Sequence, residues 1–302
     1  MSPRADATPD AGLHAGARAW VELLRMPALF TAPGDALAGA AAVAARPDSR
    51  TLLAVGCSLC LYEAGMALND WADRDEDAVD RPHRPLPSGR IGSPAALTAA
   101  VALTAAGLAL AARAGRPALA VAVPLAATVW AYDLALKHTP GGPATMAAAR
   151  GLDLLLGAAA TSGRTREALP SAALLGTHTL AVTAVSRQET RGGSPLAPFA
   201  ALCTTGLLTL LLTYRGAGPH TTDDAFRKAL AAAYAATAAR PYLHAALNPS
   251  PPLTQRAVAG GIRAMIPLQA ALAARSGART TALLTAALAP AARSFARKVS
   301  VT

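Results

Sequence analysis

The chain has 302 residues, of which 53% are apolar and only 15% are charged, and its mean hydropathy is +0.32. The apolar content excludes a disordered chain, and three cysteines in this length exclude a disulfide scaffold. The net charge of +10 comes from basic residues spread between long apolar runs rather than gathered in one stripe, which argues against a nucleic-acid partner. A polytopic helical membrane protein fits these numbers.

Long apolar runs dominate the chain, and about 20 helical residues cross the hydrocarbon core of a bilayer. The runs lack the alternation of β-barrel strands, so we predict an all-α fold, a transmembrane helical bundle of about nine spans. The predicted spans cover residues 20–45, 51–68, 95–112, 117–136, 143–163, 168–186, 192–214, 257–274 and 280–292. Residues 224–247 contain Pro241 and several basic residues, so they form either a tenth span or an interfacial helix.

The first 19 residues mix acidic, basic and small residues and lack the apolar core of a signal peptide. We therefore predict a disordered cytoplasmic tail over residues 1–19 and one transmembrane domain over residues 20–302. Basic residues in the loops after the second, fourth and sixth spans place those loops in the cytoplasm, for a protein of the cytoplasmic membrane. The basic residues of these loops are Arg74, Arg81, Arg84, Arg90, Lys137, Arg187 and Arg191. The opposite loops also carry arginines, so the excess is small.

Acidic residues are concentrated at one place, directly after the second predicted span. Six of the 18 acids lie in the eleven residues 70–80. Asn69, Asp73 and Asp77 are spaced at i, i+4 and i+8, so on a helix they share one face, and Asp70 lies one turn from Asp73. Carboxylate and amide oxygens suit Mg²⁺, which completes its coordination with substrate phosphates and water. The spacing therefore predicts a magnesium site for a phosphate-containing substrate.

Arginines follow the acidic residues in a segment stiffened by three prolines, Pro82, Pro85 and Pro87. Arg81, Arg84 and Arg90 offer donors that suit phosphate oxygens. The alternative interpretation is a solvated cytoplasmic loop with a run of charges. The repeat of carboxylates on one helical face favours the metal and phosphate site, as does the position of the arginines after the acids.

The sequence NDWADRDED at residues 69–77, followed by DRPHRPLPSGRI, resembles the first aspartate-rich motif of the UbiA superfamily of intramembrane prenyltransferases. The resemblance implies helices around a central cavity that takes an isoprenyl diphosphate from the lipid bilayer. It also implies that Mg²⁺ is bound by Asn69, Asp70, Asp73 and Asp77. Asp73 and Asp77 are then catalytic residues, and Arg84 contacts the diphosphate.

Two further segments resemble the same family. Tyr132 and Lys137 in YDLALK resemble the end of the family's fourth span, although Asp133 replaces the usual serine. Arg150 in AAARGLDLLLGA resembles the start of the fifth span. The resemblance implies that Lys137 is catalytic and that Tyr132, Lys137 and Arg150 contact the substrate diphosphate.

The family's second aspartate motif is degenerate in this chain. Residues 181–193, AVTAVSRQETRGG, stand at its place, with Ser186, Glu189 and Gly193 at the three acid positions. Only Glu189 keeps a carboxylate, a departure that resembles a divergent branch of the family. Glu189 is then expected to bind a metal ion with help from Gln188, or Arg187 to neutralise the diphosphate directly.

Loss of diphosphate from an isoprenyl substrate gives an allylic carbocation, and the group that captures it decides the reaction. We predict a Mg²⁺-dependent prenyltransferase that acts on an unknown acceptor. The alternative is a terpene cyclase, in which the substrate's own double bond attacks, but 3 Trp, 5 Tyr and 4 Phe are few for steering cations with aromatic faces. A non-catalytic carrier is a third possibility, because the second motif is degenerate.

Overall fold

A computed structural model describes residues 9–189, 193–214 and 222–300, and within these ranges every regular element is helical. The helices are α1 (Pro9–Leu23), α2 (Ala32–Ala42), α3 (Ser49–Ala72), α4 (Arg74–Asp80), α5 (Ser93–Ala114), α6 (Arg116–Ala131), α7 (Gly142–Ser162), α8 (Leu169–Ser186), α9 (Leu196–Thr213), α10 (Thr222–Leu247), α11 (Pro251–Arg275) and α12 (Arg279–Ser300). Two 3₁₀ segments, Met26–Thr31 and Arg166–Ala168, and a π-helical segment, Tyr132–Leu136, complete the elements. The predicted all-α fold is confirmed.

Six helical stretches of the described chain are long and apolar enough to cross a membrane. They are α3, α5, α6 with the π segment, α8 with the 3₁₀ turn before it, α9 and α11. Three more helices are of similar length, α7 with 21 residues, α10 with 26 and α12 with 22. The predicted number of about nine is thus an approximate count, and the ambiguous residues 224–247 form the single helix α10.

The first predicted span, residues 20–45, is not one helix. Helix α1 ends at Leu23, Arg25 adopts the left-handed conformation, and the chain passes through a 3₁₀ segment before α2 begins. Pro27 accounts for the break, because proline lacks the backbone N–H donor that an α-helix needs. Helix α2 has 11 residues and is therefore about 16 Å long, too short to cross the bilayer core.

The predicted N-terminal tail is described only in part. Helix α1 begins at Pro9, so residues 9–19 are helical, and residues 1–8 lie outside the described ranges. Ala19 and Leu23 are fully buried in a cluster with Leu68 and Leu86. This packing places the end of α1 against the end of α3.

Small residues let α2 pack tightly against α7. A Cβ atom added to Gly157 would collide with the backbone of Ala36, and one added to Gly39 would collide with the carbonyl of Leu154. Ala36, Ala38, Ala40 and Ala41 on α2 are fully buried. Close approach through small residues is a common way for membrane helices to associate, since lipid supplies no hydrophobic force between them.

Helix α3 connects the two ends of the bundle. At its start Asp48 accepts a hydrogen bond from the backbone N–H of Thr51 at 3.0 Å in a capping box, which lowers the pKa of the Asp48 carboxyl. At its end Asp73 is both the C-cap of α3 and the N-cap of α4. Its backbone N–H donates to the carbonyl of Asn69, and its carbonyl accepts from the N–H of Asp77. We call the region of this α3–α4 junction the aspartate end.

Candidate active site

A cavity of about 450 Å³ lies between α3, α6, the π segment, α7, α8 and α11. On α3 its lining runs from Ser58 to Asn69, eleven residues apart, which corresponds to about 16 Å along the helix axis. Most of the surface that lines the cavity is apolar, and nine of the 24 lining residues are leucine, valine, isoleucine or methionine. Tyr62 and Tyr132 are the aromatic residues among its described lining. The cavity is thus a mainly apolar chamber with polar groups at both ends, Asn69 at the aspartate end and Ser58 and Asp153 at the other.

Asp73 and Lys137 form an ion pair at the aspartate end. The Lys137 side chain is only 9% exposed and that of Asp73 only 20%, so the pair is shielded from solvent. His138 Nε2 lies 3.8 Å from Asp73 Oδ1. Asp73, Glu76 and His138 bring ligand atoms within 4.8 Å of one another, a spacing at which one metal ion could be held, although Glu76 and His138 are exposed.

Asp70 and Asp77 are both buried and both paired with arginines. Arg84 Nη1 lies 2.6 Å from Asp77 Oδ2 and 3.6 Å from Asp70 Oδ1. Arg25 Nη2 lies 2.9 Å from Asp70 Oδ1, and Arg81 Nη1 lies 3.5 Å from Asp77 Oδ1. These two carboxylates hold three guanidinium groups around the α3–α4 junction.

The π segment brings the side chains of YDLALK to the cavity. Its widened turn is closed by the N–H of Lys137, which donates to the carbonyl of Tyr132 at 2.9 Å. Tyr132 and Asp133 line the cavity, and Asp133 is buried. The amide Nδ2 of Asn69 donates to Asp133 Oδ1 at 3.0 Å, which joins the π segment to α3.

The remnant of the second motif divides between the cavity and the outer surface. Glu189 lines the cavity. Burial raises the pKa of the Glu189 carboxyl above its ordinary value, and the charges of Arg81 and Arg25 partly offset this. Arg187 is exposed and does not line the cavity; its guanidinium donates to the carbonyl of Thr139.

Arg150 lines the cavity but is bound to other helices. Its Nη1 lies 2.9 Å from Asp35 Oδ2 on α2, and Nη2 lies 3.1 Å from the sulfur of Met265 on α11. Gln269 Nε2 donates to Asp35 Oδ1 at 2.6 Å, and Ser58 donates to Asp153. The structure therefore brings the predicted residues Asn69, Tyr132 and Glu189 into the cavity lining. It places the Asp73–Lys137 pair at the adjoining helix ends, outside that lining, and Arg150 in a separate buried network.

Sequence reasoning missed Arg25 and Gln269, and it did not find the partners of Asp35. Arg25 lines the cavity and pairs with Asp70, yet it stands alone between two apolar segments. Asp35 and Gln269 meet across 234 positions of the chain. An isolated polar residue in an apolar run was the available signal for Asp35 and Gln269, since such residues face protein rather than lipid.

The chain belongs to the UbiA prenyltransferase family, whose sequence profile matches residues 29–214. It is an integral membrane protein, as the apolar helices and the family indicate. The family is the class that the fold and the aspartate end define.

Individual relatives match parts of the chain. The digeranylgeranylglyceryl phosphate synthase of Methanopyrus kandleri is 36% identical over 128 residues, which cover 41% of this chain and 45% of that protein. The synthase of the same name from Natronomonas pharaonis is 34% identical over 148 residues, 48% of this chain and 53% of that protein. The chain thus spans about half the length of the curated relatives that it matches.

Solved structures show the same fold. A UbiA homologue from Archaeoglobus fulgidus bound to GPP and Mg²⁺ superposes with a TM-score of 0.57 at 17% sequence identity. The superposition covers 82% of this chain and 99% of that one. At this identity the likeness concerns the arrangement of helices.

Proposed function

We propose that this protein is a Mg²⁺-dependent intramembrane prenyltransferase, which transfers an isoprenyl group from its diphosphate to an acceptor. The observation that carries the proposal is the shielded Asp73–Lys137 pair, which lies outside the lining of a mainly apolar cavity but is hydrogen-bonded through its backbone to the lining residues Asn69 and Tyr132. This arrangement combines oxygen ligands, a cation and an apolar chamber, which suit the anionic head and the apolar tail of one substrate. Relatives named digeranylgeranylglyceryl phosphate synthase support the assignment, as does the fold shared with a UbiA homologue bound to GPP and Mg²⁺.

Asn69, Asp70, Asp73, Asp77 and Glu189 are the residues proposed to hold Mg²⁺. The arrangement fits, because Asn69 gives its NH₂ group to Asp133 and leaves its carbonyl oxygen for a metal ion. Glu189 lines the same cavity and is half-buried, so its carboxylate gains from a nearby cation. When bound, Mg²⁺ neutralises the diphosphate and acts as a Lewis acid on the leaving group.

Basic side chains are proposed to bind the diphosphate oxygens. Lys137 is held by Asp73, and its ammonium is shielded from solvent, so its attraction for an anion is stronger than in water. Arg84 is kept at the same end by Asp77 and Asp70. Tyr132 on the cavity wall offers a hydroxyl donor. Arg150 is proposed to make a secondary contact with the diphosphate, because its guanidinium also pairs with Asp35.

The apolar wall is proposed to bind the isoprenyl chain, with a gain of about 25 cal/mol for each Å² of apolar surface that leaves water. Two tyrosines are the aromatic side chains of the described lining, which offers few π faces for guiding a cation through ring closures. Transfer to an acceptor is therefore favoured over cyclisation.

The test is a product assay with purified protein in detergent or nanodiscs. Geranyl, farnesyl and geranylgeranyl diphosphates are each supplied with Mg²⁺, with and without an acceptor. A geranylgeranylated glyceryl phosphate is the first acceptor to try, because the relatives are named for the synthesis of digeranylgeranylglyceryl phosphate. We expect a prenylated acceptor and no cyclic product.

Matched variants make the assay specific. Asp73→Asn removes the carboxylate that pairs with Lys137 and should reduce turnover by at least about 100-fold, whereas Asp75→Asn, 87% exposed in the same segment, should keep it. A cyclic hydrocarbon or alcohol formed without acceptor would overturn the transferase proposal in favour of a cyclase. Absence of turnover with every acceptor tried would favour the carrier.

A further inference from the structure

The acidic residues of the aspartate end differ in whether a cation already neutralises them. Asp70 and Asp77 are paired with arginines, and Asp73 is paired with Lys137. Asp133 differs from these three, since no basic side chain of the described chain lies within ion-pair distance of it. Its recorded partner is the neutral amide of Asn69.

Asp133 is also strongly buried. It is 5% exposed and lines the cavity. A Cβ atom built on Gly65 would lie 3.9 Å from Asp133 Oδ2, so this second oxygen faces α3 at a residue that also lines the cavity. A buried carboxylate is unfavourable unless it is paired or binds a cation, and the charges of Lys137 and Arg25 act on Asp133 only from beyond ion-pair distance.

The contact with Asn69 fixes which way that amide points. Its NH₂ group must face the acceptor Asp133 Oδ1, so the amide oxygen of Asn69 faces away from Asp133 and is available as a ligand. Residues behind metal ligands commonly act in this way, by orienting the ligand and raising its donor strength. Asp133 is thus placed to orient Asn69 and to add negative charge beside it.

Asp133 occurs in a chain that lacks two of the three acidic residues expected in residues 181–193. Two of the three acid positions in residues 181–193 carry Ser186 and Gly193, and only Glu189 remains acidic. Asp133 and Glu189 line the same cavity from different places in the chain, the π segment and the turn that follows α8. A carboxylate on the π segment therefore restores part of the negative charge that residues 181–193 lack.

We propose that Asp133 is a positioning residue of the metal site, which orients the amide oxygen of Asn69 and supplies a compensating carboxylate for the divalent cation. This inference rests on the proposed Mg²⁺ dependence. The inference assigns Asp133, the acidic residue of YDLALK, to cation binding rather than to helix packing.

The test measures metal binding directly. Binding of Mn²⁺ alone to the purified full-length protein is followed by the loss of the electron paramagnetic resonance signal of the free ion. Asp133→Ser removes the carboxylate, Asp133→Asn keeps its shape, and Asp75→Asn removes an exposed acid nearby as the control. We expect both Asp133 variants to raise the Kd for Mn²⁺ by about 10- to 100-fold, while the control keeps the wild-type value.

The outcomes separate this inference from the proposed function. Equal Kd values for the wild type and both Asp133 variants would overturn the inference alone. An unchanged Kd in Asp133→Asn, with a loss only in Asp133→Ser, would overturn the role of the charge. No Mn²⁺ binding by the wild type would overturn the metal dependence itself.

The Mg²⁺ dependence of turnover distinguishes a positioning role from a role in helix packing, because loss of packing alone would not change it. In Asp133→Asn, the Mg²⁺ concentration for half-maximal prenyl transfer should rise by the same factor as the Kd for Mn²⁺, while kcat at saturating Mg²⁺ stays close to wild type. Loss of kcat that high Mg²⁺ does not restore would contradict the positioning role. If Asp133→Ser does not fold, Asp133→Asn alone decides the question.

Discussion

Lys137 and Asp73 come from different helices and neutralise each other in a shielded setting. The pair keeps an ammonium ready for an anionic substrate without leaving it as an unpaired buried charge. Asp70 and Asp77 do the same for Arg25 and Arg84. At the residue scale, the aspartate end is therefore a set of paired charges, with Asp133 and the half-buried Glu189 as carboxylates that lack an ion-pair partner in the described chain.

Lys137→Ala should lower kcat/KM by about 100- to 1,000-fold, because it removes a preorganised positive charge beside the departing diphosphate. Steady-state kinetics at saturating Mg²⁺ measure this. Arg74→Ala is the control, since Arg74 pairs with exposed Asp75 and lies over Trp71 outside the cavity lining. An unchanged rate in Lys137→Ala would remove Lys137 from the site.

We expect the folding stability of the protein to depend on pH through the carboxyl of Glu189. Burial raises the pKa of its carboxyl in the folded protein above that in the unfolded chain, so folding stability falls as the pH rises through this interval. Without metal, Glu189→Gln should therefore raise the Tm at neutral pH and lose this advantage near pH 4, below the ordinary pKa of Glu. Thermal unfolding across this range checks the sign. A variant that is less stable than wild type at neutral pH would contradict it.

The π segment and the α2–α7 contact are decisive at the scale of elements. An α-helical turn has 3.6 residues, and the wider π turn changes which side chains of YDLALK face the cavity. Asp133 then faces Asn69 while Lys137 reaches Asp73. The α2–α7 contact positions Asp35 beside Arg150, which lines the cavity from α7.

Gly157→Ala should destabilise the protein by about 1–3 kcal/mol, because the added methyl group would overlap backbone atoms of Ala36, which cannot rotate away as a flexible side chain could. Gly206→Ala on α9 is the matched control, since a Cβ there meets no atom within 4 Å and alanine favours a helix. Thermal unfolding in the same detergent compares the two. Equal Tm values for both variants would refute the close α2–α7 contact.

For the whole molecule, arginines lie at both ends of the bundle, which is why their distribution indicates orientation only weakly. Arg164, at the end opposite the aspartate end, donates to the carbonyl of Val43 at 3.1 Å. We propose that the aspartate end faces the cytoplasm in the cytoplasmic membrane, as the loops after predicted spans two, four and six suggest.

Cysteine labelling tests this orientation. In a background without Cys57, Cys60 and Cys203, an impermeant maleimide should label Glu167→Cys in intact cells and should label Asp75→Cys only after lysis. Both positions are exposed and lie at opposite ends of the bundle. Labelling of Asp75→Cys in intact cells would reverse the orientation.

Local patterns predicted much of the fold. Apolar runs of sufficient length predicted most long helices, since helical periodicity depends only on neighbouring residues. The prediction that Asn69, Asp73 and Asp77 share one face of a single helix was wrong, because α3 ends at Ala72 and Asp77 lies on the separate helix α4. The single helix over residues 20–45 was wrong, because apolar content there did not outweigh the proline break. The family resemblance suggested Lys137, which the structure places beside Asp73.

Composition, local spacing and the motif were enough to predict the all-helical membrane fold, the family and the position of the acidic segment, because none of these depends on distant contacts. Which basic side chain or amide meets each acid follows from the packing of the helices and could not be predicted from local patterns. Arg84 pairs with Asp77, Arg150 pairs with Asp35 from another helix, and Asp133 meets Asn69 across 64 positions. Such partners are chosen by how helices pack, and in a low-dielectric interior every charge must find one.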